Sequence, residues 1–175
     1  MTSRAVLALA GALLLSGCGF RPVYMSSANG APGPAARNLA AIHVALIPDR
    51  PGQLLRQALQ QHFQGADDAT PRRYTLLVSY GISGRSEGIQ PNSVATRVEL
   101  IASASWVLTA DDPAHTRITS GSALAMDGID QFDQQYFAAD LGNSAADRRL
   151  ARAIAGQIAL RLAGFFRNRA DQAAR

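Results

Sequence analysis

The sequence contains no lysine and only one cysteine, and it has few aromatic and few charged residues. All 17 basic residues are arginine, against 13 acidic residues, which gives a formal net charge of +4 at pH 7. A single cysteine excludes an intramolecular disulfide and a cysteine-rich zinc site. The arginines do not cluster with aromatic residues, which argues against nucleic-acid binding. Arginine suits bidentate contacts with phosphate and carboxylate; codon bias in a GC-rich genome is the alternative reason for its exclusive use.

The only long apolar run, Ala5–Leu15, follows a short start with one positive charge. It is too short to span a bilayer as a helix, and it has the n-region and h-region of a secretory signal. The run ends at Leu15-Ser16-Gly17-Cys18, which resembles the lipobox of bacterial lipoproteins. That resemblance implies cleavage before Cys18, lipidation of its thiol and anchoring in a membrane. Gly19, where an Asp would imply retention at the inner membrane, favours the outer membrane.

The rest of the chain has the composition of one ordinary domain, because 47% of the sequence is hydrophobic and 17% is charged. Proline, glycine and serine are frequent between Phe20 and Arg37, which indicates an extended and flexible connection. We therefore predict a signal peptide over residues 1–17 and a lipidated N-terminus with a flexible tether over 18–38. A single α+β domain follows over 39–168, with a polar C-terminal tail over 169–175.

Hydrophobic periodicity predicts the elements of this domain. The clearest is a strand from Val94 to Thr109, which alternates strictly between an apolar face and a polar face. The polar face carries Arg97, Glu99, Ser103, Ser105 and Thr109. Before it we predict a strand over 39–47, a helix from Asp49 to Gly65, a strand over 72–83 and a turn over 84–91. After it we predict a strand over 115–126, with Ile118, Leu124 and Met126 on one side. The last predicted element is a helix that starts at a capping box of Ser144 and Asp147 and runs to Phe166. This β-α-β-β-β-α order predicts an α+β two-layer sandwich, with two helices on one face of a four-stranded, mostly antiparallel sheet.

One catalytic pattern occurs, because residues 84–88 match G-x-S-x-G around Ser86. That motif works in a strand-to-helix elbow, whereas here the segment leads towards another strand through Pro91. No other nucleotide-binding, metal-ligating or catalytic pattern is present. We predict no catalytic residues, no metal, no cofactor and no enzymatic activity.

Several short strings resemble the LPS-assembly lipoprotein family LptE, especially its alphaproteobacterial members. They are Gly17 to Tyr24 (GCGFRPVY), Asp49 to Arg56 (DRPGQLLR) and Gln134 to Ala139 (QQYFAA) with the following helix to Phe166. The resemblance implies two helices on a four-stranded sheet, and partnership with the β-barrel LptD and with lipopolysaccharide at the outer membrane, facing the periplasm. In that family the protein plugs the barrel and helps it to assemble.

Arg85, Arg97 and Arg117 are candidate lipopolysaccharide contacts, because each lies on or beside the predicted sheet. The alternative for each is an ordinary solvated arginine. The alternative function is an auxiliary periplasmic lipoprotein of an ABC-type lipid transporter, which would have no barrel partner.

Overall fold

The computed structural model describes residues 32–63, 71–89, 95–130 and 136–175. The elements in chain order are α1 (Pro34–Ala40), β1 (Ile42–Val44), α2 (Asp49–Phe63), β2 (Tyr74–Ile89), β3 (Ala95–Ala110), β4 (Arg117–Asp130) and α3 (Tyr136–Ala173). The strands form one sheet in the order β1-β2-β3-β4, with β1 parallel to β2 and the other neighbours antiparallel. The predicted α+β fold, with helices on a four-stranded and mostly antiparallel sheet, is confirmed.

The helices cover the face of the sheet that the alternating pattern predicted to be apolar. Ala102, Ala104, Trp106 and Leu108 of β3 are buried on this side. Helix α3 covers them with an apolar stripe, and Phe165 beside it is partly buried against the core. The stripe residues that are at most 2% exposed are Leu150, Ala151, Ile154, Ile158, Leu162 and Phe166. Burying a large apolar side chain contributes roughly 1.5–3 kcal/mol, so this seam is the main source of stability.

Helix α1 is not among the predicted elements. It occupies the end of the predicted tether and the start of the predicted first strand, with Pro34 in its first turn. Proline is favourable there because the first helical N–H groups have no partner within the helix. Ala35 and Leu39, four residues apart, are both buried in the core. This helix of about two turns is therefore stabilised by packing, which a short helix requires.

Strand β2 is longer than predicted and includes most of the segment interpreted as a turn. Its ladder with β3 continues from Tyr74, opposite Ala110, to Ile89, opposite Ala95. Ser86 therefore lies in a strand opposite Val98, and its placement in the hairpin turn was wrong. Glycines at 84 and 88 were weighted as turn residues, but the backbone pairing with β3 outweighs that preference.

Helix α3 begins at Tyr136, two turns before the predicted start, and continues to Ala173. Ser144 and Asp147 lie within it, so the predicted capping box is wrong. The sequence from 144 to 163 is rich in alanine, leucine and arginine, which are strong helix formers. The helix therefore continues through Ser144 and Asp147, although such residues often stand at the start of a helix. The predicted C-terminal cap of α2 at Gly65 lies outside the described residues.

A β-bulge changes which side chains of β4 face the helices. The register between β3 and β4 shifts at Leu108 and Thr109. As a result Ile118 packs against the core, whereas Leu124 and Met126 lie on the other face and are 52% and 59% exposed. The prediction that these three residues share one side was wrong. A bulge adds one residue to a strand and reverses the alternation beyond it.

Candidate functional site: the open face of the sheet

The open face is the side of the sheet that faces away from the described helices. Its side chains form rows across β2, β3 and β4 that follow from the backbone register. The central row consists of Ser79, Ser105 and Ser122. The next row contains Gly81 and Ser103, followed by Leu124. Small side chains therefore make the middle of this face low and polar, in a shallow depression of ≈ 610 Å³.

Apolar side chains lie on both sides of the serine row. Towards β1 they are Leu46, Leu77 and Val107, of which Leu46 is 75% and Leu77 50% exposed. Towards the other end, Ile101 lies opposite Met126. The polar positions predicted on β3 do lie on this face, but the face as a whole is mixed. The signal was available, because Ile101 and Val107 occupy odd positions of β3 between the predicted polar ones.

Two of the three candidate arginines lie at the far end of the open face. Arg85 is exposed on β2 and lies opposite Glu99 in the register. Arg97 lies two residues before Glu99 on the same face of β3. Its guanidinium group crosses Gly128 of β4, where an added Cβ would collide with it. Arg85 and Arg97 are diagonal neighbours in the backbone register, where such positions are about 7–8 Å apart, and Glu99 lies opposite Arg85.

The third candidate, Arg117, lies at the opposite end of the sheet. It is opposite Thr109 in the register and donates a hydrogen bond from Nη2 to Ser120 Oγ. The turn before it is fixed by Asp112, which accepts two hydrogen bonds from Thr116, at 2.9 and 2.7 Å. These bonds lower the pKa of Asp112 below its usual range. At about 3.3 Å per residue along β3, Arg117 is on the order of 40 Å from Arg97. The structure does not bring the three arginines into one site.

Side chains of α3 contact the outer edge of β4. Gln157 Nε2 donates to the carbonyl oxygen of Leu124 at 2.8 Å, and Arg161 Nη1 donates to that of Ser122. Farther along the same edge, Arg149 forms an ion pair with Asp127 at 2.7 Å. Neither Gln157 nor Arg161 was among the residues singled out from the sequence. Their spacing of one helical turn, beside a buried stripe, was the available signal.

The remaining titratable groups with altered pKa values do not gather on the open face. Burial and the nearby charges of Arg72 and Arg56 lower the pKa of His43 on β1. Tyr80, on the helix-covered face, has its pKa raised to about 12 by burial and then by the charge of Asp147. Within the described ranges, no group of three or more His, Cys, Asp or Glu side chains could hold a metal ion. Cys18 lies outside the described residues.

The open face is thus an exposed surface of small polar and apolar side chains, with arginines at its two ends. In the part of the chain that the structure describes, no helix is both long and apolar enough to cross a membrane. The sequence model of LptE, the lipopolysaccharide-assembly family, matches residues 39–162. The chain therefore belongs to the LptE family, as the resemblance predicted.

Solved structures share this fold at low sequence identity. A protein named as a lipoprotein from Caulobacter crescentus CB15 is 23% identical, with a TM-score of 0.62 over 75% of this chain and 95% of that one. Lipoprotein B from Nitrosomonas europaea is 12% identical, with a TM-score of 0.50 over 71% of this chain and 81% of that one. None of the curated proteins matches this sequence. At such identities the likeness to solved structures concerns the fold.

Proposed function

We propose that this protein is a non-enzymatic outer-membrane lipoprotein that plugs the lipopolysaccharide-exporting β-barrel LptD and helps it to assemble. Membership of the lipopolysaccharide-assembly family supports the general role. The observation that carries the finer proposal is the open face of the sheet. It is a broad surface of polar and apolar side chains that the described helices do not cover, and the buried core lies on the opposite side of the sheet.

The chemistry of the open face suits contact with the interior wall of a large barrel. Such interiors are polar and hydrated, and the serine row offers hydroxyl groups that both donate and accept hydrogen bonds. The exposed Leu46, Leu77, Leu124 and Met126 supply apolar area around it. This combination of polar and apolar surface is typical of non-obligate protein interfaces.

Membrane attachment rests on Cys18 and the lipobox-like run before it. Acyl chains on this residue, including palmitate, would tether the domain at the inner surface of the outer membrane, because two or more chains anchor stably. Intact-mass measurement of the protein extracted from membranes tests this. The expected mass is that of a chain beginning at Cys18 plus its acyl groups. An unmodified thiol or a retained segment 1–17 would contradict the proposal.

Depletion of the protein in its own cells tests the barrel role. We expect the amount of correctly folded LptD and the amount of surface lipopolysaccharide to fall together. Restoring the protein from a plasmid should restore both, and co-purification in mild detergent should recover the barrel. Normal levels of both after depletion would favour the alternative, an auxiliary lipoprotein of an ABC-type lipid transporter.

Lipid contact is the second part of the role, and the arginine pair at the end of the open face is the better candidate site. Charge-assisted hydrogen bonds from Arg85 and Arg97 to a lipid phosphate would contribute roughly 1.5–3 kcal/mol each when shielded from water. Replacing both with Glu should weaken binding of purified lipopolysaccharide far more than Arg117→Glu, which changes a distant point of the sheet. Equal losses from the two variants would indicate non-specific charge attraction.

A further inference from the structure

Several segments of the chain meet at the end of the domain where the described fold begins. Pro34, at the start of α1, lines the same cleft of ≈ 440 Å³ as Pro71 and Arg73, which precede β2. The rings of Tyr74 and Phe166 have their centroids 5.3 Å apart, so the C-terminal part of α3 lies here as well. The end of β3 and the start of β4 join them through the strand register. We call this region the entry end; it comprises residues 34–41, 71–75, 109–117 and 165–175.

The entry end carries most of the excess positive charge of the described chain. It contains seven arginines and three aspartates, whereas the other described residues contain eight arginines and seven acidic residues. All seven arginines except Arg167 are exposed: Arg37, Arg72, Arg73, Arg117, Arg169 and Arg175. A concentration of one sign of charge at one end of a protein creates a field that attracts the opposite sign. The entry end is therefore a surface suited to an anionic partner.

The cleft at the entry end holds two of these arginines in place without neutralising them. Arg37 and Arg73 line it together with Asn38. Arg73 donates a hydrogen bond from Nη2 to Asn38 Oδ1 at 2.8 Å, and its Cζ lies 5.6 Å from the centroid of the Tyr74 ring. Both partners are uncharged, and neither arginine has a carboxylate partner among the described residues. Because a guanidinium group has five N–H donors, Arg73 keeps donors for an incoming anionic oxygen.

The position of Cys18 in the sequence indicates which anionic surface lies within reach. Sixteen residues separate Cys18 from Pro34, and a chain of that length spans at most about 55 Å when fully extended. We propose that the entry end binds the anionic phospholipid headgroups of the membrane that holds the acyl chains, with Arg37 and Arg73 as central contacts. This inference rests on the lipidation proposed for Cys18 and goes beyond it, since a tether limits the distance of the domain but does not set its orientation.

The proposed contact fixes how the sheet stands relative to the membrane. The entry end is one end of strands β2, β3 and β4, so these strands lead away from the headgroups. Arg97, at the other end of β3, is then on the order of 40 Å from Arg117 and the membrane surface. The open face is left uncovered along its length and is presented sideways to a partner embedded in the same membrane.

Vesicle binding tests the contact without the acyl anchor. The mature chain from residue 18 with Cys18→Ser keeps every described residue, and co-sedimentation measures its binding to vesicles of equal parts phosphatidylglycerol and phosphatidylcholine. We expect binding to these vesicles and none to pure phosphatidylcholine. Binding should be lost at high salt, because salt shortens the range of charge interactions from about 10 Å at 0.1 M to about 3 Å at 1 M. Equal binding to the neutral vesicles would overturn the inference.

Two double variants with the same change in charge locate the contact. Each arginine near an anionic membrane strengthens binding roughly fivefold, so Arg37→Gln with Arg73→Gln should weaken it about 30-fold. The matched control is Arg148→Gln with Arg152→Gln. These residues are exposed on α3, and Arg152 precedes Phe166 by fourteen residues, or about 20 Å of helix. The control should bind as the parent does, and equal losses would contradict a specific entry end.

A further variant keeps the test decisive if loss of the Arg73 contacts disturbs the fold, which circular dichroism measures. Arg72 and Arg169 are exposed at the entry end and form no hydrogen bond or ion pair with the described residues. Arg72→Gln with Arg169→Gln should also weaken vesicle binding on the order of 30-fold, and unchanged binding would overturn the inference. Missing acyl groups at Cys18 would appear in the intact mass, and a missing barrel in the co-purification. Neither result alters binding to the vesicles, so failure of the proposed function is distinguishable from failure of this contact.

Discussion

The two faces of the sheet are formed by alternate residues of the same strands, but they differ in how tightly their side chains are packed. On the helix-covered face Ala102, Ala104, Trp106 and Leu108 of β3 are buried, and Gly121 leaves room for the ring of Trp106. On the open face a Cβ added at Gly81 would meet no atom within 4 Å, and the large side chain of Met126 is 59% exposed. The covered face therefore specifies the fold, while the open face is free to serve binding. Matched substitutions on the two sides can test that division.

The largest effect is expected from a charge in the seam between α3 and the sheet. Ile158 is 0% exposed, and Ile158→Asp would bury a carboxylate without a partner. We expect the domain to lose its cooperative thermal transition, measured by circular dichroism, because the cost exceeds about 4 kcal/mol. The control is Leu160→Asp on the same helix, where the side chain is 56% exposed and the change should stay within about 0.5 kcal/mol. Similar melting of the two variants would mean that the stripe does not face this core.

Replacing a glycine with alanine on each face should also give different changes in stability, but smaller ones than a buried charge. A Cβ at Gly121 would lie 2.7 Å from Cζ2 of Trp106, so Gly121→Ala must displace a buried ring. Overpacking of this kind costs roughly 1–3 kcal/mol. Gly81→Ala meets open space and removes a flexible residue from a strand, which should leave stability equal or raise it by up to about 1 kcal/mol. Chemical denaturation measures both, and equal losses would contradict the assignment of faces.

Tyr80 should give a smaller effect that depends on pH. Its hydroxyl is buried and has no hydrogen-bond partner among the described residues. Tyr80→Phe removes this unpaired group and should be neutral or stabilising by about 1 kcal/mol or less. The pKa of Tyr80 is raised from 10.0 to about 12, so the folded protein resists ionisation that the unfolded chain permits. The parent should therefore lose stability as pH rises from 10 through 12, and the Phe variant should lose less. Parallel pH profiles would contradict this.

The smallest effect on stability is expected in the serine row of the open face. Ser105 is exposed between Ser79 and Ser122 on the open face. Ser105→Ala should change the free energy of unfolding by no more than about 0.5 kcal/mol. Its effect, if the face binds a barrel, should appear instead in the yield of co-purified LptD. A stability loss above about 1 kcal/mol would assign the row to the fold.

The predictable parts of the structure are those in which local pattern and packing agree. The alternation in β3 and the stripe from Leu150 to Phe166 were readable because each presents one apolar side to the same core. The end of β2 and the start of α3 could not be predicted in this way. Glycines indicated a turn and a Ser–Asp pair indicated a helix start, but the strand pairing of β2 and the longer helix α3 continue through them. Leu124 and Met126 lie on the opposite face from the predicted one because of the β-bulge. The bulge arises from one extra residue in the strand, and no sequence pattern indicates it.

The candidate site was predicted only in part for a related reason. The alternating pattern correctly assigned Arg97 to a strand, whereas Arg85 was placed in the predicted turn and lies in β2 instead. The neighbourhood of both residues and their distance to Arg117 depend on strand pairing that the pattern does not contain. Arg117 lies opposite Thr109 only once the β3–β4 bulge is in place. The contacts of Gln157 and Arg161 with β4 likewise join residues that are 33 and 39 positions apart in the sequence. No single window of sequence contains both partners.

Helix α3 follows all the described strands along the chain, which has a consequence for the order of folding. Strands β2, β3 and β4 pair with their sequence neighbours, so the meander can form from local contacts. Its apolar side lacks the cover of α3 until Tyr136–Ala173 arrives. A chain exported from its N-terminus would thus expose Trp106 and Leu108 to solvent during the last part of its passage. We expect the nascent domain to need protection by a chaperone in that interval, and a chain truncated before Tyr136 to aggregate rather than refold.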